Sequence, residues 1–280
     1  KNPASWESYY LRGKAYILIN DPAAALSDLE KGINGGISIP DAYFYRGLAR
    51  FREDYGDKGF TDLVYFHSQE IQIHDQDNMY ESLIYLGKLN SGFGQFELAI
   101  KNYTRALQIN TYGSKAYFLR GNLQRIMNKP EQAISDLNQA ETLGLKEQDL
   151  YLYRGLSYLE LNKNINGEID LSLFLKMSHS SDQNRPQALI ERGIIRYYQE
   201  KLDSALLDME EAIKLDPTLD VAYGYRGMIH CRQNNCEQTA TDLETGLHSG
   251  AMNNEIYFFR SINKYLKKEY IESLSDLLPF

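Results

Sequence analysis

Apolar residues along the chain recur at i, i+3, i+4 and i+7 within blocks of about a dozen residues, the spacing that lines one face of an α-helix. Turn residues separate the blocks, as in Asn20-Asp21-Pro22, Asn128-Lys129-Pro130 and Asn234-Asn235. The pattern predicts short helices joined by tight turns from about Trp6 to Phe280, hence an all-α chain.

The blocks repeat. Tyr-x-x-Arg-Gly occurs at Tyr9…Gly13, Tyr43…Gly47, Tyr117…Gly121, Tyr151…Gly155 and Tyr223…Gly227, with weaker copies ending at Gly87, Gly193 and Ser261. With that last residue as marker, the spacings are 34, 40, 34, 34, 38, 34 and 34. Twelve residues after each marker comes a small residue, such as Ala25, Ala99, Ala133 or Ala205. Four further on comes a bulky one, such as Leu29, Tyr103, Leu137 or Met209. Each copy therefore predicts two antiparallel helices, A then B: the small residue lets them approach and the bulky one fills the gap beside it. Copies begin near residues 6, 40, 80, 114, 148, 186, 220 and 254, and predict one continuous solenoid over 1–280.

This pattern resembles the tetratricopeptide repeat, whose signature places a large residue, Leu-Gly, Tyr, Ala, a bulky aromatic and Pro at fixed offsets in 34 residues. The copy ending Ala205…Met209…Ala212…Asp216-Pro217 matches it best. The residue before the glycine, usually Leu in that family, is Arg in seven of eight copies, and only one copy ends in the expected Pro. The resemblance implies a right-handed α-α superhelix with helix A on the concave face.

Aligning the copies exposes a coupling. The Arg before the marker is Arg12, Arg46, Arg120, Arg154, Arg192, Arg226 or Arg260, and sixteen residues later stands Asp28, Asp62, Asp136, Asp170, Asp208, Asp242 or Asp276. The third copy has Leu86 and Asn102 instead, so both partners vanish together. The planar guanidinium can grip a carboxylate with two bonds while its stem packs on apolar surface. These residues predict an Arg–Asp bridge between helices A and B of one repeat, in preference to a ladder of arginines reading a ligand.

The array has irregular places. Phe66 and Phe174 stand where most copies carry Gly or Ala, and both precede an insertion, around His74–Asn78 and Ser178–Pro186. A larger side chain at the repeat junction, with a longer loop to accommodate it, is the expectation. The chain opens on Lys1-Asn2-Pro3 without Met and closes on a helix B stopped by Pro279, with no polar capping helix. Solenoids need capped ends, so a longer natural chain, or self-association through Leu277 and Phe280, is expected.

Composition narrows the function. A formal net charge of −8 disfavours nucleic acid and anionic membrane as partners. No apolar run reaches the roughly 18 residues needed to cross a bilayer. No phosphate-binding loop, nucleophile elbow or His-Glu-x-x-His occurs. The histidines His67, His74, His179, His230 and His248 are scattered over the repeats. No cofactor, metal or enzymatic activity is expected. His230-Cys231 with Cys236 lacks a fourth zinc ligand. The two cysteines read as small buried side chains, near enough across a turn to oxidise.

The resemblance further implies that ligands touch helix A three residues before, one after and four after each marker. The first place holds Tyr10, Phe44, Ile84, Phe118, Leu152, Ile190, Gly224 and Phe258. The second holds Lys14, Leu48, Lys88, Asn122, Leu156, Ile194, Met228 and Ile262, and the third includes Tyr197. A largely apolar, aromatic groove of this kind suits a helix or extended peptide. One subtype of the family clamps acidic C-termini with Lys and Asn; Lys14, Lys88, Lys115 and Asn122 are the nearest candidates, but their spacing does not match. The expectation is a protein-interaction scaffold that takes a peptide or helical segment of a partner protein, with an assembly module stacking through its repeat ends as the alternative.

Overall fold

The computed structural model describes residues 5–53, 56–69, 75–236, 239–248 and 254–277. Among them lie sixteen helices and no strand, so the all-α class holds. The chain divides into two compact units, Lys1–Leu145 and Lys146–Phe280. The first contains α1 (Trp6–Leu18), α2 (Pro22–Asn34), α3 (Pro40–Arg52), α4 (Gly56–Ser68), α5 (Gln76–Gly92), α6 (Phe96–Ile109), α7 (Ser114–Ile126) and α8 (Pro130–Thr142). The second contains α9 (Gln148–Glu160), α10 (Asn164–Met177), α11 (Arg185–Tyr198), α12 (Leu202–Leu215), α13 (Asp220–Arg232), α14 (Ala240–His248), α15 (Glu255–Leu266) and α16 (Tyr270–Leu277). Odd-numbered helices are the A helices of the sequence pattern and even-numbered ones the B helices. The helices follow one another as antiparallel pairs.

The marker residue and its small and bulky partners meet inside each pair. At Gly121 a Cβ would lie 3.0 Å from Leu137 Cγ and 3.2 Å from the Ala133 carbonyl oxygen. The glycine is there because α7 and α8 touch. Ala133 and Leu137 are themselves fully buried. In the last pair serines take both small places: Ser261 and Ser273 lie 3.0 Å apart, Oγ to Oγ, and Ser273 Oγ also donates to the Ser261 carbonyl. The hydroxyls thereby satisfy each other at a buried junction.

The A-to-B turns share one backbone device that the pattern did not reveal. Asn20, Asn128, Asn162 and Asn234 all adopt left-handed φ of 56–63° seven residues after their markers. Gly94, Glu200 and Lys268 do the same at 74°, 61° and 67°. The backbone N–H of the following residue bonds back five places, as Lys129 N–H does to the Gln124 carbonyl at 2.9 Å. That closes the end of helix A as a Schellman motif. Asn and Gly suit the position because they tolerate left-handed φ; Glu200 and Lys268 are strained there.

All seven Arg–Asp couples form as two-bond bridges, Arg Nε and Nη2 each donating to one Asp oxygen. For Arg154–Asp170 the distances are 2.7 and 2.9 Å; for Arg46–Asp62 they are 2.9 and 2.7 Å. Arg12–Asp28, Arg120–Asp136, Arg192–Asp208, Arg226–Asp242 and Arg260–Asp276 repeat the arrangement. The aspartates are buried except Asp242, which is half-buried. The motif's tyrosine now has a role: one helical turn before the arginine, its ring lies under the guanidinium. The carbon-to-centroid distances are 5.1–5.7 Å for the six couples with a Tyr at that place. In three pairs a second cation one turn later joins the same aspartate: Arg50 at 2.8 Å, Arg196 at 2.9 Å and Lys264 at 3.0 Å.

Phe66 and Phe174 are fully buried. Phe66 lies against Phe44, ring centroids 5.2 Å apart. The insertion after α10 is tied down by Arg185, whose Nη1 donates to the Leu175 and Ser178 carbonyls at 2.6 and 3.3 Å. Of the other insertion, His74 lies outside the described residues, while Asp75 caps α5 by accepting from Asp77 and Asn78 N–H at 3.1 and 3.2 Å; Pro279 and Phe280 at the chain end also lie outside them. Cys231 and Cys236, read from the sequence as two small buried side chains, are joined in a disulfide across the α13–α14 turn. No helix among the described residues is long and apolar enough to cross a membrane, and no His/Cys/Asp/Glu group among them could hold a metal ion.

Candidate functional site

Much of the expected groove is not available to a ligand: Phe44, Leu48, Phe118, Leu152, Ile190, Tyr197 and Met228 are all 7% exposed or less. They correct the sequence expectation at those places. Periodicity selects the apolar face of helix A, but neighbouring helices of the stack consume much of that face. Tyr197 shows this most clearly. Its hydroxyl donates to Glu255 Oε1 at 2.8 Å, and the Arg232 guanidinium lies 4.2 Å from its ring centroid. Burial, then the Glu255 carboxylate, pushes its hydroxyl far above the usual tyrosine range.

The first unit keeps Tyr10, Lys14, Lys88 and Asn122 accessible to different degrees. The Lys14 ammonium lies 5.1 Å over the Tyr45 ring. Tyr10 is half-buried, and its hydroxyl is pushed up to about 12 by burial and then by Asp41. Lys88 and Asn122 line, with Ser91 and Tyr103, a cavity of about 120 Å³ between α5 and α7. In the second unit Phe258 is 51% exposed.

A cavity of the second unit lies between α11 and α13. Gln187, Ile190, Glu191 and Ile194 stand at i, i+3, i+4 and i+7, one face of α11. Thr218 and Leu219 close the floor, and Asp220, Val221 and Tyr225 of α13 form the opposite wall. The cavity holds about 420 Å³, within the size range of small-molecule and side-chain pockets. Of the places expected to face a ligand, Ile194 is half-buried at this cavity, whereas Ile190 is 2% exposed.

Each wall is held in position. The Asp216 carboxylate accepts from Thr218 N–H at 2.9 Å and Thr218 Oγ1 at 2.6 Å, shaping the loop under the cavity. Tyr225 is packed edge-on to Tyr197, centroids 5.5 Å apart, and its hydroxyl hydrogen bonds with Tyr198. Asp220 lies in the first turn of α13, where the helix dipole favours negative charge. Glu191 accepts one hydrogen bond, from Gln187 Nε2 at 2.6 Å. Burial raises its carboxyl above the ordinary glutamate range, outweighing that hydrogen bond. Neither Glu191 nor Asp220 pairs with a cation among the described residues.

Glu191, Asp220, Val221 and Tyr225 were not among the sequence candidates, yet aligned repeats carry a signal for two of them. Two residues before the marker, the other seven repeats have Leu11, Tyr45, Tyr85, Leu119, Tyr153, Tyr225 and Phe259. Glu191 puts a carboxylate in that apolar column. Six residues before the marker the column is polar (Glu7, Asp41, Glu81, Lys115, Asp149, Gln187 and Glu255) except for Val221. The two exceptions sit in consecutive repeats and face one cavity.

A family model described as the tetratricopeptide repeat matches residues 7–34 and 114–143, which cover most of the first and fourth helix pairs. Tetratricopeptide repeat protein 6 of Homo sapiens is 26% identical over 190 residues, covering 66% of this chain and 36% of that protein. The match thus spans little more than a third of that relative's length. Among solved structures, the C-terminal part of a TPR repeat-containing protein from Cytophaga hutchinsonii superposes with a TM-score of 0.63. It is 15% identical, with 88% of this chain and 97% of that one covered. YrrB, described as a TPR protein with an unusual peptide-binding site, gives 0.55 at 19% identity, over 62% of this chain and 88% of its own. These similarities establish the fold of the helix pairs.

Proposed function

From a chain built of tetratricopeptide repeats, we propose a protein-interaction scaffold that holds a peptide or helical segment of a partner protein in the cavity between α11 and α13. The carrying observation is the cavity itself. Ile190, Ile194, Leu219, Val221 and Tyr225 give it apolar walls, and two carboxylates at its edge supply orientation. An apolar pocket with a few fixed polar groups is the usual form of a recognition site, and one anchored side chain can dominate an interface. YrrB, a chain of the same fold, is described as having an unusual peptide-binding site, which supports peptide binding as a use of this fold.

The test is selection of twelve-residue peptides from a random display library on the whole immobilised protein, followed by fluorescence anisotropy. Ile194→Asp, first verified as folded by circular dichroism, should weaken the selected peptides at least tenfold. Lys88→Ala, in the first unit, should leave them unchanged. Peptides that bind Ile194→Asp as well as wild type would remove the cavity from the binding surface.

A further inference from the structure

We infer that the occupant of the α11–α13 cavity is a peptide segment bearing a lysine or arginine, its cation held between Glu191 and Asp220 and its flanking apolar side chains set against Ile194 and Val221. This rests on the reading of the cavity as the peptide site and assigns the chemistry of its ligand.

Three observations converge on the assignment. First, the charge on the lining is one-sided: Glu191 and Asp220 line the cavity, and no Lys, Arg or His does. Second, Glu191 is out of character for its place. Seven repeats fill the same position with Leu, Tyr or Phe, and the structure keeps Glu191 half-buried among apolar neighbours. A carboxylate there is expensive unless a cation joins it. Its one hydrogen bond, from the neutral Gln187 amide, leaves Oε2 open. Third, the rest of the molecule shows what the fold does with buried carboxylates. Asp28, Asp62, Asp136, Asp170, Asp208 and Asp276 each receive a guanidinium from their own chain. Glu168, also in the second unit, receives both Arg196 at 3.0 Å and Lys201 at 3.1 Å. Glu191 and Asp220, half-buried rather than fully buried, receive no such cation among the described residues, a state they share with Asp149 and Asp182, but these two border the same cavity.

The column exchange adds detail. Val221 replaces the polar residue of its column where Glu191 replaces the apolar one. The cavity therefore pairs a carboxylate on one wall with an aliphatic surface on the other. A long basic side chain fits that arrangement, with its methylene stem on Val221 and Ile194 and its charged end at the carboxylates. An acidic segment would bring like charge to two unpaired carboxylates and is disfavoured.

The experiment uses the same library selection on the whole protein, with three further variants: Glu191→Gln with Asp220→Asn, the charge reversal Glu191→Lys with Asp220→Lys, and Ile194→Asp. Selected peptides should be enriched in Lys or Arg beside apolar residues. Their binding should weaken about tenfold or more in the neutralised variant, the loss expected for a charge-assisted contact, and should weaken with added salt. Charge reversal should turn the selection toward acidic peptides, which a purely structural role for Glu191 would not do. Peptides that depend on Ile194 yet lack basic residues, or that ignore neutralisation, would overturn this assignment and leave the cavity as the peptide site. Absence of any Ile194-dependent peptide would overturn both.

Discussion

Asp170→Asn tests what the repeated Arg–Asp bridge does for the fold. Arg154 and Asp170 are 7% and 3% exposed, and two hydrogen bonds of 2.7 and 2.9 Å join them. The asparagine keeps one acceptor but turns an N–H₂ toward a guanidinium N–H, and it removes the charge that balances the buried cation. Losing one partner of a buried pair typically costs about 3–5 kcal/mol; with one bond retained, about 3 kcal/mol is expected. Urea unfolding followed by far-UV circular dichroism measures it, and hydrogen exchange of the α9 and α10 amides supplies a local readout independent of two-state behaviour. Two comparisons isolate the cause. Asp28→Asn should lose distinctly less, because the Arg12 side chain is 56% exposed and water takes over its charge. Arg154→Met with Asp170→Leu should fall within about 1 kcal/mol of wild type, since an apolar pair of similar volume avoids the desolvation penalty. The third repeat already carries such a replacement on one side, with Leu86 buried. If Asp170→Asn costs under about 1 kcal/mol, or no more than Asp28→Asn, the bridges are not what fixes the helix pairs.

Other substitutions probe neighbouring parts of the argument. Lys268→Gly should raise stability by about 0.5–1 kcal/mol in the same urea assay, because φ of 67° strains a lysine but not a glycine. Gly121→Val should lower it by about 2–3 kcal/mol, since the Cβ alone would press on Leu137 at 3.0 Å. Acid should weaken the protein in a defined window. The Arg12 hydrogen bond holds the Asp28 carboxyl below the usual range; at Asp276 burial acts the other way but is outweighed by Arg260 and Lys264. Their contribution is complete above the unfolded aspartate pKa of about 4 and is lost as pH falls through the lower folded values. A pH series of urea midpoints would show this, and a flat series would contradict it. Glu191 runs in the opposite sense: its raised folded pKa makes the charged form unfavourable at neutral pH, so Glu191→Gln should stabilise the free protein there, an advantage that shrinks as pH falls.

The fold was largely legible because the repeats supply their own alignment. Marker, small residue and bulky residue recur at fixed offsets, and only two touching helices explain why a residue such as Gly121 must lack a side chain. The Arg–Asp couples were legible for the same reason, through the joint loss of both partners at Leu86 and Asn102. The stacking of each motif tyrosine on its arginine was hidden, because an aromatic one helical turn away reads equally well as core. The left-handed turn at Asn128 was visible only as a polar residue; Glu200 and Lys268, which share its conformation, carry no sequence sign of it.

The candidate site was legible in a coarser way. Helix periodicity names a face, but not which part of that face the neighbouring helices take. Phe44, Tyr197 and Met228 satisfied the pattern as fully as Ile194, and went into the core. Glu191 departed from its column and lines the cavity.

By itself, then, the sequence determined the helices, their pairing and the bridges within each pair. Those contacts lie at constant separation along the chain and so print themselves on every repeat. Tertiary structure alone decided which apolar side chains stay open and that Glu191 shares one cavity with Asp220 and Val221. These depend on how successive pairs pack against each other, where distances vary from junction to junction and no fixed spacing records them.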